Sequence, residues 1–596
     1  MPADGAPAEE SPGAPAGRVR LAWWIWLLAL AAAAVVLFLC YLRLSATIPV
    51  NSDGSDQALQ AWDMLHGNWL LRGWTVGDVS YYTTEIPEYI VVEKIIGLGA
   101  NVIHVASAAT YTLLVLLAGL LAKGRANGRE GIVRALIASG ILLAPELDHG
   151  IHLLISQPDH LGTQVPLLVI FIVLDRAWYR YGGTKPKSIP SKSIPPKSIP
   201  PDSPRPDPAG PPGPTGPTGP VLSARTGWYF PVVIAAMLAW VIISDRVAVF
   251  DAAAPLVAVC GVRALWAIVR DGRRPASLWL EFSLMAAGIV SFGAAELVVS
   301  VIKHVGGYTS LPLPSGLAAA HTIPHHVVLT IEGILDLYGA GFSGASPGVA
   351  IAFAVVHLAG VALALWAFLL AFRRFFSADL IVPLLAVGIV FNLAFYVLSV
   401  VPATWFDTRE IAVVLPFGAV LAGRLLAQPL TRARLAPLLA GVLACYVAAL
   451  GYGAAQSPVV SNGAPVADSD APVVGWLEAH GLHVGLGTYT EANVITLDSG
   501  GRVAIRTVTW RSSGAVPRAY ESEASWYNPK LSYANFVVMN SADSGGVSLI
   551  PRRDILALAG PPAHTYHYET FTIMVWNHNL LADLGSPPSA FPGDIP

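Results

Sequence analysis

The apolar run AWWIWLLALAAAAVVLFLCYL (residues 22–42), followed shortly by the acidic stretch NSDGSDQALQAWDMLHGNW (51–69), decides the fold. An uncharged helix of that length rises ~30 Å, the thickness of a hydrocarbon core. Its basic flank, Arg18 and Arg20, is modest, and Ser45-Ala46-Thr47 makes a weak cleavage site, so the run reads as a retained span and not a removed leader. Further runs lie near 102–122, 228–244, 251–269, 277–301, 347–371, 379–401, 410–428 and 434–455, with two shorter ones near 131–147 and 162–179. The expectation is a mainly α, polytopic transmembrane bundle of about eleven helices.

Composition agrees. Charged residues make up 13% of the 596 and hydrophobic residues 54%, whereas a soluble chain carries ~25% charge. The net charge of −3 says nothing about nucleic acid, but no basic run with interleaved aromatics appears, so no nucleic-acid partner is expected. Cys40, Cys260 and Cys445 all fall in apolar runs and offer no disulfide framework.

Eleven spans with the N-terminus inside place 23 of the 36 Lys and Arg residues on cytoplasmic segments. Of the 13 outside, 7 sit in the long C-terminal segment, which leaves 6 in the short outer loops. This asymmetry orients the chain by the positive-inside rule. Residues 46–100, 148–161, 302–346 and everything after about 456 then face outward, and 182–224 faces inward. The domains expected are a disordered cytoplasmic N-terminus (1–21), a transmembrane region (22–181) carrying the first outward loop (46–100), a linker (182–224), a second transmembrane region (225–455) and an extracytoplasmic α/β domain (456–596).

The linker repeats Lys-Ser-Ile-Pro and then PGPTGPTGP, an extended tether or a docking site for a proline-reading partner. In the C-terminal segment, 503–508 and 536–539 alternate like strands, and 472–481 reads as a short helix ended by glycine.

Chemistry concentrates in the outward loops. From Asp56 onward, Ala58, Leu59, Ala61, Trp62 and Leu65 recur at helical spacing, which predicts an amphipathic helix along the membrane surface with Asp53 at or just before its N-terminus. There Asp53 is either a helix cap or a functional carboxylate. Asp78, Tyr82 and Glu85 belong to an aromatic- and carboxylate-rich continuation, suited to sugar rings and equally to an interfacial aromatic belt. The second outward loop holds Asp148, His149, His152 and His160 without a tight metal-ligand spacing, so proton transfer, phosphate contact or sugar hydrogen bonding is preferred to metal, beside a bland reading as polar interface residues. The third holds Lys303, His304, His321, His325 and His326. Lys303 and Arg409 are among the few outward cations near the membrane, able to meet a lipid phosphate. Arg246, beside Asp245, reads as half of an ion pair at a helix end.

An acidic motif after the first helix, surface helices in the first loop and an outward C-terminal domain together resemble the GT-C superfamily of membrane glycosyltransferases, the group with protein O-mannosyltransferase-like and aminoarabinose-transferase-like enzymes. Thr404-Trp405-Phe406-Asp407-Thr408-Arg409-Glu410, opening a helix with Pro416, is similar to that group's late arginine-bearing segment. The resemblance covers nearly the whole chain in architecture but only short segments in motif. It implies a sugar donor linked to a polyprenyl phosphate, a glycan, lipid or protein acceptor arriving from outside, and a bacterial plasma-membrane location, which the Ala/Gly/Pro/Val/Arg-rich usage also suggests. It further implies a first-loop carboxylate as general base, Asp53 first and Asp56 second, with Arg409 or Lys303 neutralising the leaving phosphate. Asp78, Tyr82, Glu85, Asp148, His149 and His160 are then the substrate-binding candidates. Related enzymes often have adjacent acids, whereas Gly54-Ser55 separates them here. No cofactor or metal ligand set is implied, and dependence on a divalent metal stays open. The rival readings are a transporter or flippase for a lipid-linked substrate, with Glu281 and Glu296 as intramembrane acids, and a non-catalytic scaffold of the same fold.

Overall fold

The computed structural model describes residues 16–145, 149–181, 227, 229–311, 316–341, 349–377, 379–456, 471–511, 514–540 and 552–585. Among them, nine helices are long and apolar enough to cross a membrane. Two shorter helices, Gly128–Leu142 and Tyr229–Ser244, fill the remaining expected positions. The first helix, Ala16–Ser45, begins before the apolar run does, so 16–21 are helical and not part of a disordered tail. Hydropathy marks only the greasy part of a helix, and Gly17-Arg18-Val19-Arg20 continues it beyond. The proline-rich linker 182–224 lies outside the described residues.

Burial ranks the helices. In Val414–Arg432, 83% of the most apolar window is buried, against 11% in Leu27–Ser45, so the former is the central post and the latter the rim. Asn101–Lys123, Gly128–Leu142 and Val349–Arg373 pack around the post. Small residues allow the close approach: a Cβ on Gly423 would sit 2.5 Å from the Arg134 carbonyl oxygen. At the end of the bundle away from the first loop, Arg424 Nη1 meets Asp175 Oδ1 at 3.1 Å and Asp379 Oδ2 at 2.8 Å, and its Nε donates to the Leu121 carbonyl at 2.9 Å. The Arg424 side chain is 3% exposed. Removing one partner of a buried pair strands the others, at ~3–5 kcal/mol. Arg424→Met is therefore expected to lower the thermal midpoint of the detergent-solubilised protein far more than Arg432→Met at the same end, and equal midpoints would contradict this role.

The stretch 302–346, read as a loop, contains a further helix, Ile323–Leu337. It is too short to span a bilayer, and Tyr338 just beyond it donates to the Val414 carbonyl at 3.0 Å. The C-terminal domain is a six-stranded mixed sheet in the order Gly514–Pro517, Ala504–Arg511, Val484–Gly487, Phe536–Asn540, Phe571–Val575, His564–Tyr568. The second, third and fourth strands of that order run parallel and the outer pairings are antiparallel.

A second, small sheet fixes this domain on the bundle. Trp74–Val76 of the first loop pairs in parallel with Thr309–Ser310 of the third and antiparallel with Ser522–Glu523 of the C-terminal domain. Three segments distant in sequence thus meet at one end. Helix Tyr489–Asp498 covers the first-loop helix Ser52–Leu65, and the Ser52 hydroxyl donates to the carbonyls of Tyr489 and Thr490. The predicted amphipathic helix is accordingly packed against protein and does not lie freely on a membrane surface; Ala58, Leu59, Ala61 and Met64 are all buried.

Candidate active site

Asn51, not Asp53, caps the helix Ser52–Leu65: its side-chain oxygen accepts from the Gly54 amide at 2.9 Å. Asp53 is freed from that duty and enters the first turn, where the helix dipole favours a carboxylate. Gly54 explains the gap between the two acids. A Cβ there would lie 2.9 Å from Gln157 Oε1 and 3.2 Å from the Ile103 side chain, so glycine suits the close approach of the helix to the second loop.

Asp53 faces a cavity of about 450 Å³. Its Oδ2 pairs with Arg409 Nη1 at 3.1 Å, and the same nitrogen meets Asp159 Oδ2 at 2.9 Å. The Tyr489 hydroxyl of the C-terminal domain donates to Asp53 Oδ1 at 2.5 Å. Arg409 is delivered by the short 3₁₀ helix Trp405–Ile411, whose capping box has Asp407 accepting from the Thr404 amide at 2.6 Å. Its guanidinium also stacks 4.5 Å over the Phe406 ring.

Behind this cluster lies a second one. His160 Nδ1 is 2.9 Å from Asp245 Oδ2 and its Nε2 is 3.1 Å from Glu410 Oε1, so each ring nitrogen has a carboxylate oxygen to donate to. The Tyr81 hydroxyl donates to Asp159 Oδ1. Deeper still, Asp251, in one turn of π-helix at Val249–Ala253, accepts from Gln164 and Asn392, each at 2.9 Å. Such turns are rare and recur at functional sites.

Backbone strain marks the same place. Six described non-glycine residues have positive φ, and three of them, Tyr81 (50°), Asp159 (44°) and Glu521 (52°), line this cavity. Each costs of order 1–3 kcal/mol and persists only where its surroundings impose it.

The other wall is apolar. Val249, Phe250, Phe292 and Phe395 line it, with Phe250 and Phe395 stacked 4.3 Å apart. Phe292, on the spanning helix Trp279–His304, is 46% exposed, so this end of the cavity opens onto the outside of the bundle. Arg246 stands there, paired with Glu296 Oε1 at 3.1 Å. The expected Arg246–Asp245 pair does not form, because Asp245 is turned inward to His160.

The structure therefore brings together Asp53, Asp78, His160 and Arg409 of the sequence candidates. Asp56 is 1% exposed and lies off the cavity, its carboxylate taken by the Gln60 amide. Burial holds the Asp56 carboxyl well above the usual carboxylate range. A folded pKa above the unfolded ~3.9 means that stability falls as pH rises through the interval between them. Asp56→Asn is expected to remove that pH dependence, to keep stability near neutral pH within about 1 kcal/mol and to leave any activity largely intact. Denaturation curves at several pH values check this; a steep loss of activity would restore Asp56 as a candidate base.

Tyr82, Glu85 and Lys303 stand apart from the cavity. The Tyr82 hydroxyl donates to the Trp69 carbonyl at 2.6 Å. Glu85 is buried and bonded to the Thr84 hydroxyl. Lys303 is exposed in the last turn of its helix. Asp148 lies outside the described residues, and of His149 only its place at the start of helix His149–Leu154 is described. Sequence reasoning missed Asp159, Glu410, Asp245 and Tyr81 as members of the site, and the contributions of Tyr489, Tyr520 and Glu521 from the C-terminal domain. Among the described residues no group of three or more His, Cys, Asp or Glu is arranged to hold a metal ion.

No protein-family model matches the chain, and no curated protein matches it in sequence. Solved structures do match. ArnT from Cupriavidus metallidurans bound to undecaprenyl phosphate superposes with a TM-score of 0.51 at 12% identity, over 94% of this chain and 99% of that one. Its apo state gives 0.51 at 14% identity, over 95% and 100%. The archaeal oligosaccharyltransferase AglB from Archaeoglobus fulgidus, in complex with an inhibitory peptide and a dolichol-phosphate, gives 0.42 at 11% identity, over 87% and 70%. ArnT, an aminoarabinose transferase, belongs to the GT-C superfamily, and the likeness is one of fold.

Proposed function

We propose that this chain, which has the GT-C fold, is a membrane glycosyltransferase that moves a sugar from a polyprenyl-phosphate donor to an acceptor hydroxyl on the outer face of a bacterial plasma membrane. One observation carries the reading. A single cavity holds a carboxylate, Asp53, paired to a guanidinium, Arg409, at one end, and an aromatic wall open to the outside of the bundle at the other. A lipid phosphate linked to a sugar has that division of chemistry. Its chain suits Phe250, Phe292 and Phe395, its phosphate suits Arg246 and Arg409, and its sugar suits the acids and phenols around Asp53. The fold neighbour's bound undecaprenyl phosphate supports this class of donor.

The chemistry follows from the pairing. Arg409 is shared by Asp53 and Asp159. A donor phosphate competes for that guanidinium and releases Asp53. The acceptor oxygen then attacks the anomeric carbon while Asp53 takes its proton. The bond from the anomeric carbon to the phosphate oxygen breaks, its electron pair leaves with polyprenyl phosphate, and the sugar inverts. The phosphate gains negative charge as it leaves, and Arg409 and Arg246 stabilise that charge more than they stabilise the bound diester. Asp78 and Tyr520 also line the cavity and offer further polar contacts to sugar or acceptor.

The test is release of undecaprenyl phosphate from a panel of undecaprenyl-phosphate sugars by the full chain in nanodiscs, with a cell-envelope extract as acceptor, read by mass spectrometry. Release that depends on Asp53 supports the reading. Release unchanged in Asp53→Asn would sink it. In sealed vesicles, an intact donor crossing the bilayer without loss of sugar would favour transport.

A further inference from the structure

One phenol in the site lies between two carboxylates. The Tyr489 hydroxyl is within hydrogen-bond distance of Asp53 Oδ1, at 2.5 Å, and also of Glu521 Oε2. A phenol has one proton and can donate once. If both carboxyls were ionised, one of the two oxygen pairs would be a bare repulsion between lone pairs beside the buried Glu521. Both contacts become hydrogen bonds only when one carboxyl carries a proton and donates it to the phenol oxygen.

Which carboxyl holds that proton follows from the neighbours. Asp53 faces the Arg409 guanidinium at 3.1 Å. Glu521 is 7% exposed and has no cation of its own among its principal neighbours: Asp53, Asp56 and the hydroxyls of Tyr489 and Tyr520. Burial and the two aspartates push its carboxyl well above the usual range. Arg518 lies over the Tyr489 and Tyr520 rings, 4.3 and 5.2 Å from their centroids, and Asp78 faces Tyr520. Burial and the flanking acids also keep Tyr489 a neutral phenol.

Glu521 is held there firmly. Its backbone is in the left-handed region, φ 52°, and it immediately precedes the strand Ser522–Glu523 that pairs with Trp74–Val76. Its Oε1 lies 3.0 Å from where a Cβ on Gly77 would be, so the glycine gives it room without a tight contact.

We infer that Asp53 and Glu521 share one proton through Tyr489, so that the C-terminal domain sets the protonation of the first-loop carboxylate. In the resting state Glu521 donates to Tyr489, and Tyr489 donates to the Asp53 carboxylate. If the proposed transfer holds, the proton of the acceptor hydroxyl arrives on Asp53. Glu521 gives its proton to water, the phenol proton moves to Glu521, and the Asp53 proton moves to the phenol oxygen. One proton enters from the acceptor and one leaves to water, and Asp53 is a carboxylate again. Glu521 is a positioning and relay residue; Asp53 alone touches the acceptor.

The proton can be seen without any substrate. Infrared difference spectra of the full chain in nanodiscs at neutral pH are expected to show a protonated-carboxyl C=O band, sensitive to deuterium exchange, that Glu521→Gln removes. Tyr489→Phe, which lacks one oxygen, is expected to shift that band, and it keeps the test open should Glu521→Gln fail to fold. If neither variant changes the protonated-carboxyl region, the shared proton does not exist. The inference rests on the proposed transferase only for its catalytic consequence. There, Glu521→Gln should lower kcat about tenfold or more with acceptor KM little changed, and one ionisation should vanish from the pH profile. A wild-type rate and profile in this variant would overturn the relay. A spectral signature without transfer by the wild-type chain would instead count against the transferase.

Discussion

Arg409→Met is expected to abolish transfer and to weaken binding of undecaprenyl phosphate. One nitrogen of Arg409 balances Asp53 at 3.1 Å and Asp159 at 2.9 Å. Methionine fills similar volume without charge, so the variant leaves two carboxylates facing each other, one of them only 9% exposed. Breaking a buried pair by removing one partner costs ~3–5 kcal/mol. Arg409 is itself 22% exposed, which places the expected loss toward the lower end of that range. The loss in rate should be larger. A preorganised cation aimed at developing charge is worth about 10²–10³ in kcat, and the phosphate here gains a full charge on leaving. Arg409→Lys restores a cation that can meet both carboxylates, but not the planar fork that grips phosphate while keeping Asp159. It should recover thermal stability and leave the rate depressed. Melting curves, undecaprenyl-phosphate titrations and single-turnover transfer on the three proteins separate these effects. A methionine variant that melts early yet transfers at the wild-type rate would make Arg409 a purely structural residue.

The spans were legible because the information is local. A membrane helix needs about 20 apolar residues in a row, and each such run appears in the chain as one. Arg409 was legible through its short motif, and Asp53 through its place after the first span. Asp56 could not be separated from Asp53 on spacing, since three residues along a helix turn the side chain by only about 60° short of a full circle. What separates them is the packing around the helix: Asp56 is buried and bonded to Gln60 one turn along, whereas Asp53 meets Arg409 from a segment far away in sequence.

Asp159 was blurred by the hydropathy signal, although its neighbour His160 was not. The apolar run starts near 162, but the helix starts at Asp159, and its polar first turn is the part that enters the site. Glu521 had no local signal at all. Its position depends on a two-residue strand, Ser522–Glu523, pairing with Trp74–Val76 near the other end of the chain, a separation no sequence window could span. Lys303, Tyr82 and Glu85 show the converse. Their residue types suit phosphate or sugar, yet direction decides, and none of them faces the cavity.

Asp53→Asn is expected to separate chemistry from folding. Asparagine keeps the shape and can still accept from Tyr489, and Arg409 keeps Asp159 at 2.9 Å, so no buried charge is stranded. The thermal midpoint should therefore move little, in contrast to Arg409→Met. The proton acceptor is lost, and removal of a positioned general base lowers the rate by about 10²–10⁴. Because the amide leaves Arg409 with one carboxylate fewer to bridge, undecaprenyl phosphate should bind at least as well as it does to wild type. Weak transfer with intact or tighter donor binding is the signature of a lost base; equal losses in binding and rate would point to a collapsed site. Asp53→Glu sharpens the comparison, since it restores a carboxylate whose extra methylene moves the oxygen by ~1 Å, and misplacement on that scale can cost ~10²-fold. If glutamate rescues much of the rate while asparagine does not, proton removal at this position is the step that matters. If both behave alike, Asp53 serves only to hold Arg409.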